Sequence, residues 1–393
     1  MISDGLLKLA GDGGLGERIK KSHGIELSSS FIDGMNVKIV GNGGGGGRLN
    51  RRSAGVVIFN NSFFNSDHSM SVRGSGGNAF KVDYGTGIVV EDSTFDSSGW
   101  LHLRGLSGYG FEKMKESLGI HLKRSKLKSD SIRLVGKPGD PDKDTLTSAQ
   151  NKVAWGELNQ GIAIRKSRLK ATDQLVLRGV GGEGISQLDG IFIQYGSLKA
   201  GQHLNMTGEG GSGTNLHSTA GIIALENSSI QSPSIYLKGK GGVSTIQNVD
   251  SQFSDSYYND GIYLEESTVS TLPLKGIELI TRERPSMVLQ GFGGEIRVEG
   301  DVPFARGDLN SGVVLWDVDF IGASSSRIFG YAGKPPKGNL NTGVEIRNDS
   351  NLRFISDPGF DGPAVSLFGK AFSGNDKNTA VKIKDSHLSS PFA

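Results

Sequence analysis

The chain has 393 residues, no cysteine and a formal net charge of +2, which excludes a disulfide framework and thiolate chemistry and leaves no overall field to attract nucleic acid or an anionic membrane. Glycine supplies 60 residues, about twice the average share, and β-branched residues fill the apolar positions, so helical solenoids are excluded. No run of about 18 apolar residues occurs, and the opening MISDGLLKLAGDGG has neither a basic n-region nor an apolar h-region, so neither a spanning helix nor an export signal is visible.

Two short elements alternate from one end to the other. The first stretch, LLKLAGDGG from Leu6, is the second element of a unit. GIELSSSFI from Gly24 is the first element, and NVKIVGNGG from Asn36 follows it. A variant at Gly55 leads to SMSVRGSGG from Ser69. Then come GIVVEDSTF from Gly87, GIHLKRSKL from Gly119 with SIRLVGKPG from Ser131, and GIAIRKSRL from Gly161 with QLVLRGVGG from Gln174. GIFIQYGSL starts at Gly190, a variant at Gly221 precedes SIYLKGKGG from Ser234, and GIYLEESTV from Gly261 precedes SMVLQGFGG from Ser286. Further variants start at Gly312 and Gly343, and AVKIKDSHL from Ala380 is the last. The starting glycines are 31, 32, 32, 42, 29, 31, 40, 51 and 31 residues apart. A period near 31 with a few longer steps means one structural unit reused, with insertions at 140–160, 243–260 and 270–311.

Each element alternates apolar with variable residues, the period of a strand with one buried face. Ile25 and Leu27, Ile120 and Leu122, and Ile162 and Ile164 are expected inside; Glu26, His121 and Ala163 outside. A strand unit that cannot bury its apolar side alone must stack on its neighbours, which predicts an all-β fold, a parallel β-helix of roughly eleven turns in one domain, with turns about 4.8 Å apart. The array starts on a second element and ends just after a first one, so it is expected to be a segment of a longer array.

These repeats resemble those of filamentous-haemagglutinin-like exoproteins, the adhesins of bacterial two-partner secretion, especially of cyanobacterial type. The likeness runs from Leu6 to Leu388. It implies a right-handed parallel β-helix, exported to the cell surface or medium, acting as a stalk or adhesive shaft toward a host or neighbouring cell.

Catalytic, cofactor and metal motifs do not emerge from the repeats. GDGGLG at Gly11, GVGGEG at Gly179 and GEGGSG at Gly208 fit G-x-G-x-x-G, but each follows the same strand and none opens a helical pattern, so they read as tight turns needing positive φ and close approach. Asp140, Asp142 and Asp144 alternate in an insertion but lack the Gly and Glu of an EF-hand, and read as a solvated acidic loop. The recurring Ser30, Ser93, Ser125, Ser167, Ser267 and Ser386 sit in no G-x-S-x-G elbow and read as corner residues bonding the turning backbone. Among the seven histidines, His23, His68, His102 and His121 show no ligand spacing. No cofactor is expected, and a non-enzymatic role is preferred.

One charge feature stands out. Lys123, Arg124, Lys126, Lys128 and Arg133 fall in one unit and Arg165, Lys166, Arg168 and Lys170 in the next, a candidate patch for anionic polysaccharide. The competing reading is a solvated edge whose like charges discourage lateral aggregation. The outward positions Val57, Val89, Phe192, Tyr263 and Val314 are apolar and are expected to be covered, by the insertion holding Trp155 or the one holding Tyr257 and Tyr258. The alternative function is a polysaccharide lyase or tailspike-like depolymerase on the same fold, with Glu265, Glu266, Asp317 and Asp319 as the nearest adjacent-turn carboxylates.

Overall fold

The computed structural model describes residues 2–108, 110–139, 155–184, 187–214, 219–247, 259–271, 286–299, 310–323, 326–333, 341–355, 365–371 and 378–389. Within them the regular structure is all strand, joined by bends and short irregular turns, with no helix. Twenty-seven strands join in one large sheet, flanked by a five-stranded and a four-stranded sheet. The pairings are parallel, and each joins a strand to its equivalent in the next unit: Ile120–Lys123 lies between Ile88–Glu91 and Ile162–Arg165.

The predicted inward residues form columns along the stack. Ile120, Leu122, Ile162 and Ile164 are all fully buried in one continuous apolar core that runs through the units. Each such side chain contributes about 1.5–3 kcal/mol relative to remaining exposed. Within it Phe64 stacks on Phe95 with ring centroids 4.7 Å apart.

The corner after the first strand is built as expected from serine. The Ser167 hydroxyl donates to the Arg165 carbonyl at 2.9 Å and accepts the Ser125 backbone N–H at 3.0 Å, and Ser125 holds Ser93 in the same way. The preceding residue takes positive φ: 48° at Asp92, 49° at Arg124 and 50° at Lys166. Each such non-glycine residue costs on the order of 1 kcal/mol, offset by the serine bonds beside it. Ser167→Ala leaves the buried Ser125 N–H without its acceptor and is expected to lower stability by about 1–3 kcal/mol, read from urea unfolding midpoints.

Two expectations need correction. In these turns Gly11, Gly13, Gly14, Gly179, Gly181, Gly182, Gly208, Gly210 and Gly211 have φ outside the left-handed region, so these are not positive-φ sites. Glycine is required there by close approach alone: a Cβ on Gly105 would overlap the Gly119 carbonyl, and one on Gly179 the Gly190 carbonyl, because the third strand of each unit lies directly against the start of the first. The other correction concerns Ala163, expected to point to solvent, which is fully buried. The proposed insertions also contain regular strands, Trp155–Leu158, Val243–Gln247, Ser286–Phe292 and Glu295–Glu299. Three of these belong to the flanking sheets, and Ser286–Phe292 belongs to the large one.

Candidate polyanion-binding face

The nine predicted cations do not form one patch. Lys123 and Arg124 end the first strand and turn the corner, and the unit before places Glu91 and Asp92 at the same positions. Lys123 Nζ lies 2.8 Å from Glu91, and Arg124 reaches Glu91 at 2.5 Å and Asp92 at 2.6 Å. The Lys123 bond, with help from Arg124, holds the Glu91 carboxyl below its ordinary range despite partial burial, and the Arg124 bond does the same for Asp92. The Arg124 guanidinium is correspondingly shifted up, first by Asp92 and then by Glu91. Lys128 pairs with Asp96 at 3.0 Å.

In the next unit the partners are rings. The Arg165 guanidinium lies 5.3 Å from the Phe192 centroid and the Lys166 ammonium 5.4 Å from that of Tyr195, within cation–π range. Arg133 lies beyond the bend, between His102 and Val176, on a different face from Lys126 and Lys128. Burial first, and then Arg133, Arg73 and Arg104, shift the His102 imidazole below its ordinary value.

What remains is a compact group. Lys126 and Arg168 are in direct register, as are Lys128 and Lys170, and Lys170 is in register with Lys199. Neighbours in register are about 4.8 Å apart along the stack. Lys126, Arg168, Lys170 and Lys199 have no ion-pair partner among the described residues. The nearest acids past the bend, Asp130 and Asp173, accept hydrogen bonds from Thr172 at 2.7 Å and Ser131 at 3.4 Å. Like charges in register oppose each other, a cost to the free protein that no ion pair among the described residues relieves at Lys126, Arg168, Lys170 and Lys199. Lys199 escaped the sequence reading, although SLKA from Ser197 aligns with RLKA from Arg168.

The carboxylates of the enzyme reading divide. Glu266 and Asp317 take the same positive-φ corner in adjacent units, with Glu226 one unit earlier. Glu265 instead lies beside Trp316 and accepts the Tyr263 hydroxyl at 3.1 Å, and Asp319 lies in register with Asn351. Among the described residues no group of three His, Asp or Glu side chains is arranged to hold a metal ion. Asp140, Asp142 and Asp144 lie outside the described residues.

The outward apolar stripe is closed off in its second half. Tyr263 and Val314 are buried with Ala220 and Ile223, and Phe192, Leu225 and Trp316 pack against them, whereas Val57 and Val89 are half-buried. Tyr257 and Tyr258 lie outside the described residues, as does the side chain of Trp155. His121, on the same stripe, is half-buried with its Nε2 in no hydrogen bond, and burial, with Arg165 and Lys123, depresses its pKa to about 4. Among the described residues no helix is long and apolar enough to cross a membrane. Comparison with known proteins returns no matching family model, curated protein or solved structure.

Proposed function

We propose that this chain is a right-handed parallel β-helical shaft of a surface-exposed or secreted bacterial exoprotein, of the filamentous-haemagglutinin-like kind its repeats resemble, attaching to anionic polysaccharide on cell surfaces. The observation that carries the shaft is the unit-to-unit parallel pairing, which links strand to strand from Ile2–Asp12 to His387–Ser389. Right-handedness is supported by the strong preference of parallel crossovers for that hand. The attachment reading rests on Lys126, Arg168, Lys170 and Lys199, which a chain of carboxylates or sulfates would neutralise without displacing an ion-pair partner among the described residues.

The test is binding to immobilised alginate and heparin at low salt. Replacing those four cations by Ser is expected to weaken binding about tenfold, with the difference shrinking as salt screens the charges. Unchanged binding would remove the face from consideration. The depolymerase alternative draws support from the stacked corner carboxylates Glu226, Glu266 and Asp317. Release of reducing ends or unsaturated uronates from acidic glycans, lost in Glu266→Gln, would favour it over the shaft.

A further inference from the structure

We propose that the outer face of the third strands in four successive units binds a phosphate monoester carried on a sugar. These strands, 69–75, Trp100–Leu106, 131–137 and 174–180, hold five cations and no Asp or Glu. Arg73 is in register with Arg104, and Arg178 continues the same column beyond Val135. His102, one outward position before Arg104 on its strand, is in register with Arg133. Neighbours in register lie about 4.8 Å apart and the diagonal from Arg104 to Arg133 is about 8 Å, so three guanidinium groups on long side chains surround one imidazole. All four arginines are exposed, and none has an ion-pair partner among the described residues. This face lies past the bend from Lys126 and Lys128, so its binding is separate from that of the lysine column.

Charge and ring chemistry define the ligand. After burial, Arg133, Arg73 and Arg104 hold the His102 imidazole below its ordinary value, and its Nε2 makes no hydrogen bond, so the face carries positive charge that no carboxylate of these strands balances. A carboxylate has two oxygens, and one guanidinium fork takes both. A sulfate ester adds an oxygen but carries a single charge. A phosphate monoester has three acceptor oxygens and a charge of about −1.5 to −2 at pH 7, which suits several forks converging on one group. The carrier is indicated by Trp100, which is 49 % exposed and tilts against His102 with ring centroids 6.4 Å apart. Its exposed indole offers an apolar surface to the C–H face of a sugar ring. A nucleic-acid strand fits less well. Its internal phosphates are diesters with one charge and two free oxygens, and single strands stack successive bases on several rings, whereas these four strands carry only Trp100.

The test is a titration of the whole chain, with isotope-labelled histidine, by glucose 6-phosphate at about pH 7.5, where the phosphate is mostly dianionic. The His102 imidazole signals are expected to shift on binding, and the bound dianion should raise the pKa of that ring. Affinity should exceed that for glucuronate and for glucose 6-sulfate by about tenfold or more. Arg104→Gln and Arg133→Gln lie at exposed positions, so each should weaken binding by about fivefold or more with the thermal midpoint unchanged. Trp100→Ala should weaken binding of glucose 6-phosphate and leave that of inorganic phosphate as it was, which separates a site for a sugar phosphate from one for the free ion. His102 signals that do not move, equal affinity for the three sugars, full binding by Arg104→Gln, or no effect of Trp100→Ala on the sugar phosphate would each overturn the proposal. Tighter binding of an oligonucleotide without terminal phosphates would do the same and reassign the face to nucleic acid.

Discussion

Gly105→Val should destabilise the protein by about 3 kcal/mol or more, seen as a large fall in the denaturant midpoint. Gly105 occupies the third inward position of its strand, after Leu101 and Leu103, where the chain lies against the backbone of Gly119. Its Cβ would overlap the Gly119 carbonyl and crowd the Ile120 side chain. Neither obstacle can yield, since Ile120 N–H is bonded to the Gly161 carbonyl and Gly119 N–H to that of Gln160. The same contact recurs at Gly74, Gly136 and Gly179, so the effect should repeat there. Gly14→Ala is the control: a Cβ there meets nothing within 4 Å, and the change should stay within about 0.5 kcal/mol. In a stack where each unit contacts only its neighbours, damage at Gly105 should also split unfolding into two transitions, one for each side of the break.

Acidification should destabilise the fold through His121, by about 2–3 kcal/mol between pH 6.5 and pH 4. The imidazole is held neutral by burial and by Arg165 and Lys123, against a weaker opposing pull from Glu91, and its folded pKa is about 4. The unfolded chain takes up this proton near the ordinary value of 6.5, so the unfolded state gains as pH drops through that window. Stability from this group is complete above 6.5, and below about 4 the loss levels off because the folded state is protonated too. His102 acts in the same direction. Glu116, whose carboxyl burial raises despite Arg165 and Lys123, acts in the opposite one and offsets part of the loss. His121→Gln should flatten the dependence of the thermal midpoint on pH over 6.5 to 4. An unchanged slope would show that other groups carry it.

Much of the candidate face was within reach of the sequence. The cations at 123, 124, 126 and 128 and those at 165, 166, 168 and 170 were placed in equivalent positions because the units align, and the registers agree. The same alignment sets EDSTFD from Glu91 above KRSKLK from Lys123, which would have exposed the neutralising acids, and it sets Lys199 below Lys170. Those signals lie one unit away, and a search within the basic units passes over them. The assignment of Arg133 to the same patch failed for another reason: the register shift between Ser129 and Ser131 turns the strand onto a new face, and strand alternation carries no mark of a bend.

By itself the sequence determined the strand content, the reuse of one unit, the identity of the inward residues and the structural role of the corner serines. Each of these follows from local alternation and from a period that repeats across the whole chain. Only the tertiary structure decided which cations keep a free charge, why the glycines are needed, that the outward stripe at Tyr263 and Val314 is covered, and that Trp155–Leu158 and Val243–Gln247 join flanking sheets. These depend on distances between residues some thirty positions apart and on backbones pressed together. Such distances are set when units stack, and no single unit encodes them.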